Sequence, residues 1–162
     1  MSISSAPAPT QPEVEVKVNL QPAFTGACLC RGIRFALLTV PEQVGNCFCA
    51  DCQRNAGGPC QTSAICPLPS MEVHDPGHLT RIFLVHETGS GRPKEKHFCS
   101  ACGCTLWSVT ANRPGERVVR VGLLEGGMQR LIPRVELFAS RRPGWMPPVE
   151  GAIQWPTTPP SL

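Results

Sequence analysis

The sequence predicts an all-β fold of many short strands and turns. Three observations carry that reading. Proline and glycine supply 18 and 15 of the 162 residues, too many for a helical bundle, because proline breaks helices and glycine weakens them. Apolar residues make up 41 % and charged residues 17 %, enough for one buried core and too apolar for wholesale disorder. Aromatics are only 6 %, with no tyrosine, so the core must lean on Val, Leu, Ile and something else.

Taken in order, the first 12 residues are rich in Pro and Ser and read as a disordered lead-in. Residues 13–20 alternate polar and apolar, as an edge strand does. Residues 1–20 therefore form a flexible N-terminal extension, 21–156 the domain and 157–162 a C-terminal tail. A strand is expected at 32–40. Residues 52–58 suit one short helical turn ended by glycine. Further strands are expected at 61–66, 79–86, 105–109, 117–123 and 135–139, with a mobile loop at 88–93. No run approaches the roughly 18 apolar residues of a membrane span, so no membrane partner is expected. The N-terminus lacks the basic start and apolar stretch of a secretory signal, which predicts a cytoplasmic protein. The net charge of +3 is too mild for a nucleic-acid binder, which usually carries a basic stripe.

Ten cysteines stand at 28, 30, 47, 49, 52, 60, 66, 99, 102 and 104. In a reducing compartment they should not form a disulfide scaffold. Seven fall into tight groups: Cys28-Leu-Cys30, Cys47-Phe-Cys-Ala-Asp-Cys52 and Cys99-Ser-Ala-Cys102-Gly103. Such spacing makes poor disulfides but good metal grips. In an extended CxC both sulfurs lie on one face. A CxxCG turn wraps the backbone around zinc, and its glycine accepts the turn. Seven ligands divide as four plus three. Cys28, Cys30, Cys99 and Cys102 suit a closed structural zinc. Cys47, Cys49 and Cys52, three sulfurs within six residues, suit an open catalytic zinc. The other division leaves a three-ligand site built from distant segments and is disfavoured. Cys60, Cys66 and Cys104 read as core fillers.

Zinc on three thiolates is a weak Lewis acid suited to activating a thiol, which could add to an aldehyde or electrophilic carbon, or leave it in reverse. A tripeptide thiol carries carboxylates. Arg31, Arg34, Arg54, Arg92, Lys94 and Lys96 are candidate clamps, although each is read first as a surface charge. Arg54, two residues after the cluster, is singled out. Phe48 either packs under the cluster or lines the pocket beside Arg54 as a cofactor-binding residue. His74, His78, His86 and His97 lack ligand spacing, and Glu125 is a weak candidate proton carrier.

These residues resemble one family. Thr25-Gly-Ala-Cys-Leu-Cys-Arg-Gly-Ile-Arg-Phe35, Cys47-Phe-Cys-Ala-Asp-Cys-Gln-Arg54 and Phe98-Cys-Ser-Ala-Cys-Gly-Cys-Thr-Leu106 are similar to the three motifs of the glutathione-dependent formaldehyde-activating (GFA) enzyme and centromere protein V family. The resemblance spans about residues 23–156. It implies an Mss4-like, or β-tent, fold of small antiparallel sheets stapled by zinc, with two zinc ions on the sets named above. It also implies carbon–sulfur lyase chemistry with glutathione. The family's usual His between the first two cluster ligands is Phe48 here, and its usual His-Ile is Glu136-Leu137. Its common G-x-L-D-D-P is Gly122-Leu-Leu-Glu-Gly-Gly127. The Cys102-Gly-Cys-Thr-Leu-Trp107 run, with the later Gly144-Trp-Met146, is similar to fungal members, some of which accompany secondary metabolism. A tailoring enzyme acting on a natural-product intermediate and a non-catalytic zinc interaction module are the alternatives, and a homodimer is left open.

Overall fold

The computed structural model describes residues 21–89 and 91–159. The lead-in and the edge strand expected at 13–20 lie outside the described residues. In chain order the elements are β1 (Phe24–Ala27), β2 (Arg34–Leu37), β3 (Gln43–Cys47), α1 (Ala50–Ala56), β4 (Gln61–Pro67), β5 (Met71–His74), β6 (Thr80–Val85) and β7 (Lys94–Cys99). They continue as β8 (Thr105–Thr110), β9 (Arg113–Arg120), α2 (Gly127–Arg130), β10 (Val135–Leu137) and β11 (Ile153–Gln154), with single 3₁₀ turns between some of them. Among the described residues no helix is long and apolar enough to cross a membrane.

The strands form two sheets, ordered β1-β2-β5 and β11-β10-β3-β4-β9-β8-β7-β6. The larger one is not wholly antiparallel, because β10 pairs in parallel with both β3 and β11. The expected strand at 32–40 shortens to β2. Residues 121–123 leave β9 as a 3₁₀ turn instead of continuing the strand. Residue 157 is not free of the domain: the Phe138 amide donates to the Thr157 carbonyl at 3.1 Å.

Alternation gives the eight-stranded sheet two unlike faces. On one face Val44, Ala64, Val119, Trp107, His97 and Ile82 stand opposite one another across six strands. Val44, Ala64, Val119 and Trp107 of that row are buried. This face meets the small sheet, whose Phe35 packs edge-on against Trp107 with centroids 6.2 Å apart. Phe24, Ile33, Leu37 and Met71 complete the core from the small-sheet side, and Cys66 fills it as expected. The opposite face carries Phe83, Lys96, Ser108, Arg120 and Ser63 in the adjoining register positions. It is a polar face, and α1 lies on that side.

The chain after β10 is pinned by a buried ion pair. Glu136 is fully buried and accepts from Arg142 Nη1 at 2.6 Å, while Arg142 Nη2 reaches Gln154 Oε1 at 2.9 Å. Removing Arg142 alone leaves an uncompensated buried carboxylate. Arg142→Leu should therefore lower unfolding free energy by about 3–5 kcal/mol in urea titration. Adding Glu136→Gln to that variant should recover most of the loss.

Candidate metal centres and cationic cleft

Two tight turns build the first centre. The Arg31 amide donates to the Cys28 carbonyl at 2.9 Å, and Arg31 adopts φ 61°. The Ile33 amide donates to Cys28 Sγ at 3.4 Å. In the second turn the Gly103 amide donates to the Cys99 carbonyl at 2.8 Å, and Gly103 sits at φ 72°, a left-handed conformation that costs a side-chain-bearing residue. The turns bring Cys30 Sγ within 3.5 Å of Cys28 Sγ and 3.7 Å of Cys99 Sγ. All four sulfurs, Cys102 included, lie within 4.8 Å of one another. A tetrahedral ion with bonds of about 2.3 Å holds its sulfurs about 3.8 Å apart, so the residues present fit one.

The second centre sits where β3 runs into α1. Cys47 ends the strand, Cys49 is the helix N-cap, and Cys52 lies in the first turn. The helix begins two residues before the expected 52, because the Cys49 sulfur itself caps it by accepting from the Cys52 amide at 3.4 Å. Gly57, at φ 63°, ends it. These three sulfurs also lie within 4.8 Å of one another. Hydrogen bonds from Cys47 and then Cys52 hold the Cys49 thiol far below its ordinary range, at about 2, with a contribution from the Lys94 charge. The hydrogen bond to Cys49 in turn pushes the Cys47 thiol up. The trio lies at the helix N-terminus, where the dipole favours a thiolate.

Outer partners orient the trio. Gln61 Nε2 donates to Cys52 Sγ at 3.8 Å, Gln61 Oε1 accepts from Asn55 Nδ2 at 2.7 Å, and Asn55 Oδ1 accepts from Thr105 Oγ1 at 3.2 Å. Asp51 Oδ2 takes the Gly89 amide at 2.8 Å. That bond draws Gly89 against the cluster, where a Cβ at this glycine would stand 3.6 Å from Cys49 Cβ.

Between α1 and the polar sheet face runs a cleft of about 260 Å³, lined by Arg54, Lys94, Lys96, Arg120, Phe83 and Ser108 among others. Of the six candidate clamps, Arg54, Lys94 and Lys96 therefore meet here. Arg31 stands in the turn of the first centre, Arg34 is on β2, and Arg92 belongs to the 88–93 loop. Sequence reasoning missed Arg120. Its guanidinium donates to Ser108 Oγ at 3.0 Å and Ser63 Oγ at 3.3 Å. Burial lowers its pKa to about 10, against the pull of Cys52 and Cys47. A signal existed: in Arg117-Val-Val-Arg120 the alternation turns Arg120 away from the buried Val119. A second cavity of about 410 Å³, lined by Cys60, Cys104 and Met128, shares Arg120 and Asn55 with the cleft.

Phe48 is corrected. It is fully buried and lines neither cavity, with the Arg142 guanidinium 5.8 Å from its ring centre. It packs beneath the cluster, as an aromatic ring does when its neighbours already exclude water. Glu125 is bonded to Thr25, accepting from its hydroxyl at 2.7 Å, and lines neither cavity. His97 stacks on Trp107.

The fold and the two sulfur sets define a β domain with two cysteine centres able to hold metal ions. The chain belongs to the glutathione-dependent formaldehyde-activating enzyme family, whose model matches residues 23–141. A curated protein of Halomonas elongata, named "Putative glutathione-dependent formaldehyde-activating enzyme", is 28 % identical over 123 residues, covering 75 % of this chain and 78 % of its own. A Rhodobacter sphaeroides protein of known crystal structure aligns with TM-score 0.50 at 22 % identity, over 63 % of this chain and 88 % of that one. That second likeness speaks to the fold alone.

The Gly103 turn gives a direct test of the first centre. Gly103→Ala should cost about 1–2 kcal/mol of stability, the penalty of a side chain in the left-handed region, read from the midpoint of thermal unfolding.

Proposed function

We propose that this chain is a zinc-dependent carbon–sulfur lyase or synthase that joins an anionic thiol such as glutathione to an aldehyde or other electrophilic carbon, and also runs the reverse reaction. The observation that carries the reading is the three-sulfur cluster, Cys47, Cys49 and Cys52, set beside a cleft with four cationic side chains. A zinc ion on three thiolates keeps one position open and lowers the pKa of a thiol placed there. Cys28, Cys30, Cys99 and Cys102 would hold a second, closed zinc that staples the fold.

The chain's own residues divide the remaining work. Gln61 and the Cys52 amide fix the orientation of the sulfurs. Lys94, whose charge acts on Cys49 and Cys52, offsets the negative charge that three thiolates and an incoming thiol accumulate. Arg54, Lys96 and Arg120 offer counter-charges to the carboxylates of a tripeptide thiol, Arg120 from a fixed position because the two serines hold it. Phe83 supplies an apolar wall for the part of the substrate that carries no charge. The printed name of the Halomonas elongata relative, which joins glutathione to formaldehyde activation, points the same way.

Zinc analysis of the reduced, purified protein should give two ions per chain. Cys49→Ser should lose one ion and all thiol–aldehyde condensation while its unfolding midpoint stays near that of the parent. Cys99→Ser should unfold. Equal damage from both variants, or one ion per parent chain, would reject the division of ligands. Lys96→Glu should raise KM for glutathione about tenfold and leave kcat nearly unchanged, because the charge contacts a remote carboxylate.

A further inference from the structure

The exposed end of the large sheet is unusual for a solitary domain. β6 is its last strand and among the described residues pairs only with β7. Among the described residues its outer edge meets no further strand, the kind of edge that natural proteins blunt with lysines, prolines or bulges. β6 has none of these. Instead Ile82, Phe83 and Leu84 are 56 %, 59 % and 48 % exposed, so apolar side chains stand open on both faces of the strand at once. The only charged residue within it is Arg81, and Glu87 follows two residues after its end.

We propose that β6 pairs antiparallel with β6 of a second copy of this chain, joining two eight-stranded sheets edge to edge about a two-fold axis through Leu84. The choice of occupant rests on charge and shape complementarity of β6 and the two residues that follow it. With the strand extended on pairing from its end at Val85 through Glu87, and Leu84 opposite Leu84 of the second copy, Ile82 falls opposite His86, Phe83 opposite Val85, and Arg81 opposite Glu87. The symmetry repeats each pair. On the cleft-side face the sequence of pairs becomes Arg–Glu, Phe–Val, Val–Phe, Glu–Arg. Opposite charges thus flank two aromatic–aliphatic contacts of the type that stabilises adjacent strands. Arg81 Nη1 donates to the carbonyls of His78 and Thr80 at 2.6 and 2.9 Å, which anchors the guanidinium at the start of the strand. A register centred on Phe83 would set Arg81 against Val85 and leave both charges without a cross-strand partner.

The arrangement bears on the site, because Phe83 and Val85 line the cationic cleft. Across the two-fold axis the second copy's Val85 and Phe83 continue that wall, so each cleft gains apolar lining from its neighbour. The pairing stands whether or not the proposed reaction is correct, since it uses neither cysteine centre.

Sedimentation equilibrium of the full-length, reduced, zinc-supplemented protein across micromolar concentrations tests the pairing. The expected species is a dimer of twice 17.5 kDa. Arg81→Glu and Glu87→Arg, each setting like charges opposite one another, should each raise the dimer dissociation constant by on the order of tenfold or more. The double variant Arg81→Glu/Glu87→Arg should restore it. Leu84→Asp, at the axis, should give a monomer. Far-ultraviolet circular dichroism and zinc content, unchanged in all four variants, separate loss of pairing from loss of fold. A parent chain that stays monomeric would overturn the proposal, whatever else covers β6. So would a dimer indifferent to these substitutions, or one that the double variant does not recover.

Discussion

Four sulfurs drawn from two tight turns are the constraint on which the rest of the molecule depends. Cys30 and Cys99 stand 69 residues apart in sequence and 3.7 Å apart in space. Closing so long a loop is entropically costly, and a bond or ion that closes it removes much of the unfolded chain's freedom. The closure also has direction. Cys28 and Cys30 leave the β1–β2 side, while Cys99 and Cys102 leave the β7–β8 side, so the small sheet is pulled onto one face of the large one. That contact is where Phe35 meets Trp107 and where the apolar row across β3, β4, β9 and β8 is buried.

With one face of the large sheet committed to the core, alternation delivers the opposite face to function. Residues next in sequence to buried ones, Arg120 beside Val119 and Ser108 beside Trp107, point to the side that carries α1. The three-sulfur cluster is placed there by the β3–α1 junction, in which the strand's last residue, the helix cap and the first helical turn each hold one thiol. Four cations line the cleft beside it, and two of them, Lys94 and Arg120, act on the cluster sulfurs. The desolvation of Arg120 is offset by two serine hydroxyls and by the pull of the Cys52 and Cys47 sulfurs, which fixes the guanidinium in place.

The buried pair Glu136–Arg142 plays a supporting part. It fastens the segment from β10 to β11 onto β3, the strand that delivers Cys47, and it sets the Arg142 guanidinium over Phe48. The aromatic residue between the first two cluster sulfurs is thereby used for packing. Phe83 lines the far side of the cleft instead, and the sequence pattern did not single it out because Phe83 looks like any apolar residue of an edge strand.

Metal grips are local objects: two or three cysteines within a turn place their sulfurs by backbone geometry alone. The sequence by itself therefore determined the three cysteine groups, their division into sets, the all-β class and the short helix after the cluster. Long alternating strands such as β4, β6 and β8 were legible for the same reason. Short strands such as β1, β3 and β11 were not, because so few residues carry no period that can be told from chance, and their state is decided by neighbours in the sheet. Only the tertiary structure decided which of six candidate cations share the cleft, that Arg120 joins them, and that Phe48 is enclosed. Each of those facts depends on strand register and on which face is buried, and register is set by pairing between segments tens of residues apart.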